Sequence, residues 1–229
     1  MRLDKFICKS TELSRNEAKK LLKCGEVRVN GDVVKDAAAQ VHENNEITID
    51  GQELTARSSR YIMYHKPLDT ICSNVDEGYP SVLNFIDVDK AFDLHIAGRL
   101  DVDTTGLVLI TDDGRWSHNI ISPKKLCQKT YRVWLQYVLK EGVIEKFTTG
   151  VQLQGEQGLT QPAKLIEIDT KEVLLTITEG KYHQVKRMFA AVGNKVVGLH
   201  REQIGQLSLS ALPLGEWRYL TEEEVAFFK

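Results

Sequence analysis

The chain has 229 residues, 42% of them apolar and 27% charged, with a net charge of −2, which fits one sizeable globular domain plus a small one. A balance this close to neutral excludes a uniformly basic nucleic-acid coat, so any RNA contact has to come from local patches. No run reaches the roughly 18 apolar residues that span a bilayer. The N-terminus lacks the apolar core of a signal peptide, and Cys8, Cys24, Cys72 and Cys127 are scattered, as reduced thiols of a cytoplasmic protein would be. Neither these cysteines nor the six histidines show metal-ligand spacing.

Leu3, Phe6 and Ile7 sit at helical spacing and open a first short helix. Ser14 and Glu17 make a capping box for a second helix that stops at Gly25. Its buried stripe is Ala18, Leu21 and Leu22, while Arg15, Lys19 and Lys23 recur every four residues on another face with Lys20 beside them. Val27 and Val29 alternate into Asn30-Gly31, a hairpin turn, with Val33-Val34 returning and Ile47 and Ile49 supplying a last strand. Residues 1–49 are therefore expected to form a small domain. The polar stretch Asp50 to Ser59 reads as a linker.

From Arg60 the pattern changes to many short strands. Tyr61 to Tyr64 reads as a strand ended by Lys66-Pro67, with Thr70 to Ser73 as its partner and Ser81 to Ile86 as a helical turn. Lys129 to Leu135 alternates cleanly, Glu141 to Thr149 reads as a helix, and Ala163 to Ile168 pairs with Glu172 to Thr178. Strands around Val196-Val197 and Leu207 to Leu209 and a helix from Thr221 to Phe228 follow. The expected fold class is α+β, with residues 60–229 forming a mixed, mainly antiparallel sheet flanked by helices.

Two stretches carry candidate chemistry. In the first, Gly98-Arg99-Leu100-Asp101-Val102-Asp103-Thr104-Thr105-Gly106 runs into Leu107-Val108-Leu109-Ile110 and closes on Thr111-Asp112-Asp113-Gly114. The unbroken apolar run between turn signals predicts a strand buried on both faces, fed by a loop that holds Asp101 and Asp103 beside a dry core. Asp101, Asp103, Thr105, Gly106 and Asp112 also match positions of a calcium loop. That loop needs flanking helices, which a strand pattern in its second half does not supply.

In the second stretch, Glu179-Gly180-Lys181-Tyr182-His183-Gln184-Val185-Lys186-Arg187-Met188-Phe189 follows a strand and opens a helix. Tyr182, Val185, Phe189 and Val192 fall at helical spacing and are expected in the core. His183, Lys186 and Arg187 lie off that stripe, near a helix start that favours anions. Physics alone leaves both a phosphate site and a basic surface helix open.

The first stretch resembles the catalytic motif of RNA pseudouridine synthases, and residues 1–49 resemble the S4 RNA-binding module. The resemblance implies that Asp101 is the catalytic residue and that Lys181, after the glycine of the late motif, pairs with it. Lysine keeps the charge of the arginine expected there and loses its bidentate fork. Tyr131, in Lys129-Thr130-Tyr131, inherits the role of the aromatic that packs on the target base, and Arg99 that of filling the gap left by a flipped nucleotide. RNA contacts are implied at Arg15, Lys19, Lys20 and Lys23 of the basic helix and at Lys186 and Arg187.

The implied reaction isomerises one uridine to pseudouridine in small-subunit (16S) ribosomal RNA, free or in a pre-ribosomal particle. The uracil N1–C1′ bond is cut, the base turns, and it rejoins through C5. No redox, hydrolysis or energy input is involved, so no cofactor or metal is expected, and a monomer with no membrane partner is the expected form. The target nucleotide has to leave its stack to be reached. An ionised Asp101 serves equally for attack on the sugar or for proton abstraction from it. A non-catalytic RNA-binding factor and a carboxylate glycosidase are the alternatives, and neither would form pseudouridine.

Overall fold

The computed structural model describes residues 1–42 and 44–229. The chain divides into two compact units, Met1–Ser58 and Ser59–Lys229.

The first unit begins with helices α1 (Leu3–Ser10) and α2 (Arg15–Cys24). The Ser14–Glu17 capping box forms, and Gly25 ends α2 in the left-handed conformation. Strands β1 (Val27–Val29), β2 (Asp32–Val33), β3 (Ile47–Ile49) and β4 (Gln52–Glu53) make a sheet in the order β2-β1-β3-β4. Leu3, Ile7, Ala18, Leu22, Val27 and Ile47 form its core. Strand β4 lies inside the stretch expected to be a linker. Asp50 and Gly51, both at positive φ, turn the chain so that Gln52 and Glu53 pair back on Ile49 and Thr48.

The second unit is organised on a nine-stranded sheet. Its strands are β5 (Tyr61–Lys66), β6 (His95–Ala97), β7 (Thr105–Thr111), β8 (Lys129–Leu135), β9 (Lys164–Asp169), β10 (Glu172–Ile177), β11 (Val196–Ile204), β12 (Leu207–Ser208) and β13 (Trp217–Tyr219). The path runs β13-β5-β7-β11-β8-β10-β9, with β6 on β7 and β12 on β11. Every pairing among them is antiparallel except β7 with β11, so the expected mixed, mainly antiparallel sheet is present. Helices α3 (Gly114–Ile121), α4 (Val143–Thr149), α5 (Gln184–Ala191) and α6 (Glu222–Ala226) complete the unit.

Strand β7 is buried on both faces, as its apolar run predicts. Val108 and Ile110 join one core with α4 and α5, while Leu107 and Leu109 join another with Trp116 and Ile120 of α3. Thr70 to Ser73, in contrast, is no strand. Ile71 makes only an isolated bridge to Ser81, and the places beside β5 are taken by β7 and by β13, which the sequence patterning missed. Three residues are too few for an alternation to stand out in Trp217–Tyr219.

Asp112 and Asp113, which close the central motif, anchor structure. Asp112 accepts from the Arg60 backbone N–H and from its Nε at 3.1 Å. Asp113 caps α3 through Arg115 and Trp116 and accepts from the Tyr61 hydroxyl at 2.9 Å. Burial and the Asp113 carboxylate together push the Tyr61 hydroxyl up to about 12.

Candidate active site

The loop between β6 and β7 emerges where the sheet splits. The C-terminal half of β7 pairs with β6 through Leu109 to Thr111, and its first two residues pair with β11 through His200 and Arg201. Residues 98–104 leave at that fork. Gly106, at φ +118°, is required there, because an added Cβ would stand 2.3 Å from the Arg201 carbonyl oxygen and 2.5 Å from its nitrogen. Only glycine lets β7 and β11 approach this closely.

Two buried cations hold the loop by its carbonyls. Arg201, 1% exposed, donates from Nη2 to Gly98 O at 2.6 Å and from Nε to Leu107 O at 2.8 Å, bridging the two ends. Lys66, fully buried, donates to Thr104 O at 2.9 Å and to Pro67 O at 3.0 Å. Burial drives the Lys66 ammonium below its usual range. On the loop's other flank the Cys72 sulfur accepts from Leu100 N–H and Val102 O accepts from Asp69 N–H at 3.0 Å. A backbone tied at Gly98, Leu100, Val102 and Thr104 leaves Asp101 little freedom to move with it. Sequence patterning missed Arg201, Cys72 and the role of Lys66, since each acts through backbone groups that no motif displays.

Asp101 and Asp103 share one cation, and it comes from α5. Lys186 Nζ lies 3.0 Å from Asp101 Oδ2 and 2.6 Å from Asp103 Oδ1. Burial opposes the charge on Lys186, but its hydrogen bonds to the two carboxylates outweigh this and raise its pKa. Burial likewise pushes Asp103 up, and the Lys186 hydrogen bond more than reverses it, leaving Asp103 below the usual carboxylate range. His183 Nε2 approaches Asp101 Oδ1 at 3.4 Å.

Lys181 is not the partner of Asp101, contrary to the sequence reading. Its ammonium faces Glu156 at 3.5 Å, and Arg187 binds the same carboxylate at 3.1 Å. The reason is the start of α5. His183 takes the left-handed conformation at φ 47°, and the Gln184 side chain accepts from Lys181 N–H, so the helix begins only at Gln184. His183 and Lys186 then fall three residues apart on one face, while Lys181 stays outside the helix. Tyr182 is outside it too, and is 75% exposed rather than in the core; Val185, Met188 and Phe189 form the buried stripe.

Tyr131 stands on the same rung of the sheet as the loop's exit. Strand register places it opposite Arg201, which is opposite Gly106. It is 7% exposed, its hydroxyl lies 3.4 Å from Arg201 Nη1, and the guanidinium carbon sits 5.9 Å from its ring centre. Arg99 is exposed and lines an open cavity of about 510 Å³ with Cys72, Asn74, His95 and His118. Among the described residues, no group of three or more His, Cys, Asp or Glu side chains is placed to hold a metal ion.

In the first unit, Lys19, Lys20 and Lys23 are exposed on α2. Arg15 is committed elsewhere: its Nε donates to the fully buried Asp4 carboxylate at 3.1 Å, as Arg2 does at 2.9 Å. Burial raises the Asp4 carboxyl, and these two hydrogen bonds overcome it, holding it below its ordinary value.

A model of the RNA pseudouridylate synthase family matches residues 60–191, and a model of the S4 domain matches residues 1–47. Ribosomal small subunit pseudouridine synthase A of Vibrio cholerae serotype O1 is 56% identical over 227 residues, covering 99% of this chain and 98% of its own. The protein of that name from Escherichia coli K12 is 50% identical over 228 residues, covering 99% of both chains. A crystal structure of a pseudouridylate synthase, 47% identical, superposes over the full length of both chains with a TM-score of 0.73.

Proposed function

Because the chain belongs to the RNA pseudouridylate synthase family, we propose that it isomerises a uridine of small-subunit ribosomal RNA to pseudouridine, with Asp101 as the reacting carboxylate. The observation that carries the assignment to Asp101 is the loop at the sheet fork. It holds a half-exposed carboxylate on a clamped backbone, with the Lys186 ammonium 3.0 Å from its Oδ2. The relatives' names supply the RNA.

The chemistry requires an ionised oxygen next to the ribose of a flipped nucleotide. Lys186 supplies the positive charge and fixes the position of Oδ2. The shared lysine also lets Asp103 remain ionised beside Asp101, where two carboxylates alone would raise each other's pKa. Tyr131 packs its ring against the detached uracil, which excludes water while the base turns. Its hydroxyl and ring are oriented by Arg201. Residues 60–229 are the catalytic domain in this reading, and the S4 unit contributes RNA affinity through Lys19, Lys20 and Lys23.

The test is to incubate the pure protein with small-subunit ribosomal RNA transcript, and separately with a pre-ribosomal particle, and map pseudouridine. The wild type forms it at one position, and Asp101→Asn forms none while still binding the RNA. An Asp101→Asn protein that turns over at a substantial rate ends the assignment.

A further inference from the structure

Tyr182 is one of the most exposed large side chains in the second unit, at 75%, yet it is held firmly. Its ring stacks on His183, with centroids 3.8 Å apart and planes 23° from parallel. The segment beneath it is tied from both sides. Tyr182 O accepts from Arg187 Nη1 at 3.0 Å, and Arg187 is itself bound to Glu156 and to Gln154 O. Next to it, Lys181 N–H donates to Gln184 Oε1 at 2.8 Å, while Gln184 Nε2 donates to Glu179 at 2.7 Å. One side of this stack meets the reacting carboxylate, since His183 Nε2 stands 3.4 Å from Asp101 Oδ1. The phenol ring on the other side is open to solvent.

A scattered exposed tyrosine is ordinary and asks for no explanation. This one is a pre-oriented aromatic face at the rim of the site, supported by a histidine whose backbone is in the left-handed region at φ 47°, which non-glycine residues adopt infrequently. Flipping a nucleotide toward Asp101 unstacks it from its neighbours and leaves a base face exposed. Aromatic side chains bind such faces with little regard to base identity, and a rigid ring loses little conformational freedom in doing so.

We propose that Tyr182, backed by His183, is a stacking platform for an RNA base adjoining the target uridine. This rests on the reading of the chain as a synthase acting at Asp101. The platform adds affinity for the opened RNA and takes no part in the glycosidic rearrangement.

The test compares wild type, Tyr182→Ala and Tyr182→Phe on small-subunit ribosomal RNA transcript, reading KM, single-turnover rate at saturation, and the salt dependence of binding. Tyr182→Ala raises KM by roughly 5- to 150-fold, the span carried by stacking one base on one ring. It leaves the saturated rate and the salt slope unchanged, because stacking releases no counterions. Tyr182→Phe keeps the ring and stays close to wild type. A Tyr182→Ala enzyme with wild-type KM overturns the proposal, and so does one that loses saturated rate at constant KM, which would mean that the ring acts only by positioning His183. A shallower salt slope in Tyr182→Ala overturns it as well. Absence of pseudouridine with the wild type would instead strike the underlying reading, so the two failures are told apart.

Discussion

Lys186 and Asp101 form a salt bridge across the site, with Nζ 3.0 Å from Oδ2, although 85 positions separate them in the chain. Lys186 also holds Asp103. The raised Lys186 pKa means that its charge is lost only as pH climbs through that raised value. The lowered Asp103 pKa means that its charge is lost only as pH falls through that lowered value. Between the two, Lys186 and Asp103 both keep their charges, so wild-type activity should be flat through neutral pH as far as this pair decides it. Lys186→Met removes the cation and leaves two neighbouring carboxylates, of which one then protonates at higher pH. Its pH–rate profile should lose the acidic side and recover partly as pH rises. Lys181→Met, which disturbs only the Glu156 pair, should keep the wild-type profile. Overlaid profiles for Lys186→Met and wild type would remove Lys186 from the site.

Arg201 should act on the reaction through the loop. Arg201→Lys keeps a buried charge but has no planar fork to reach Gly98 O and Leu107 O together. Leaving one of these carbonyls without its donor costs about 1–3 kcal/mol, so the melting temperature should fall by a few degrees. The saturated rate should fall as well, while affinity for RNA stays near wild type. Thermal melts with single-turnover rates decide it: a rate that is unchanged despite lower stability would show that the clamp serves folding alone.

The position of Asp101 was legible because its loop lies between a glycine and a strand whose apolar run is unbroken, and local patterning reads such features directly. The partner of Asp101 was not. Which lysine reaches it depends on where α5 begins, and that is set by the left-handed His183 and by the Gln184 side chain closing on Lys181 N–H. Counting helical spacing from Tyr182 placed that ring in the core and gave no reason to prefer Lys186 over Lys181. Arg201 was silent for a different reason. A buried arginine whose partners are carbonyls leaves no trace in sequence, because every residue has a carbonyl. The basic helix was legible as a pattern, yet the pattern did not show that Asp4, eleven positions earlier, occupies Arg15.

Gly106→Ala should be among the most damaging single-methyl changes in the second unit. The new Cβ would meet the Arg201 backbone at 2.3 Å and would sit on a residue at φ +118°. Steric overlap and backbone strain each contribute about 1–3 kcal/mol, and separating β7 from β11 also displaces the root of the Asp101 loop. The expected result is a protein that melts well below wild type and is inactive at temperatures where it remains folded. Glycine at position 114, where no heavy atom lies within 4 Å of an added Cβ, provides the control: Gly114→Ala should retain both fold and activity.

The basic helix separates into two kinds of residue that salt titration can distinguish. Lys19, Lys20 and Lys23 are exposed on α2, and in the RNA-binding reading each neutralises a phosphate and releases counterions. Changing all three to glutamine should reduce the slope of log K against log salt by about two to three units, at 0.7 to 0.9 per contact. Arg15 should behave differently, because its Nε is held by a carboxylate that has no exposure of its own. Arg15→Gln should leave the slope nearly unchanged and instead loosen the first unit around Asp4. The lowered Asp4 pKa stabilises this unit above the ordinary carboxylate range, and that stability disappears as pH falls through the lowered value. With one of its two arginines gone, Asp4 protonates at higher pH, so acid unfolding of the first unit should begin at a higher pH in Arg15→Gln. Circular dichroism against pH and filter binding against salt read the two effects separately. If Arg15→Gln lowers the salt slope by as much as a lysine does and leaves the acid transition in place, Arg15 belongs with the phosphate contacts rather than with Asp4.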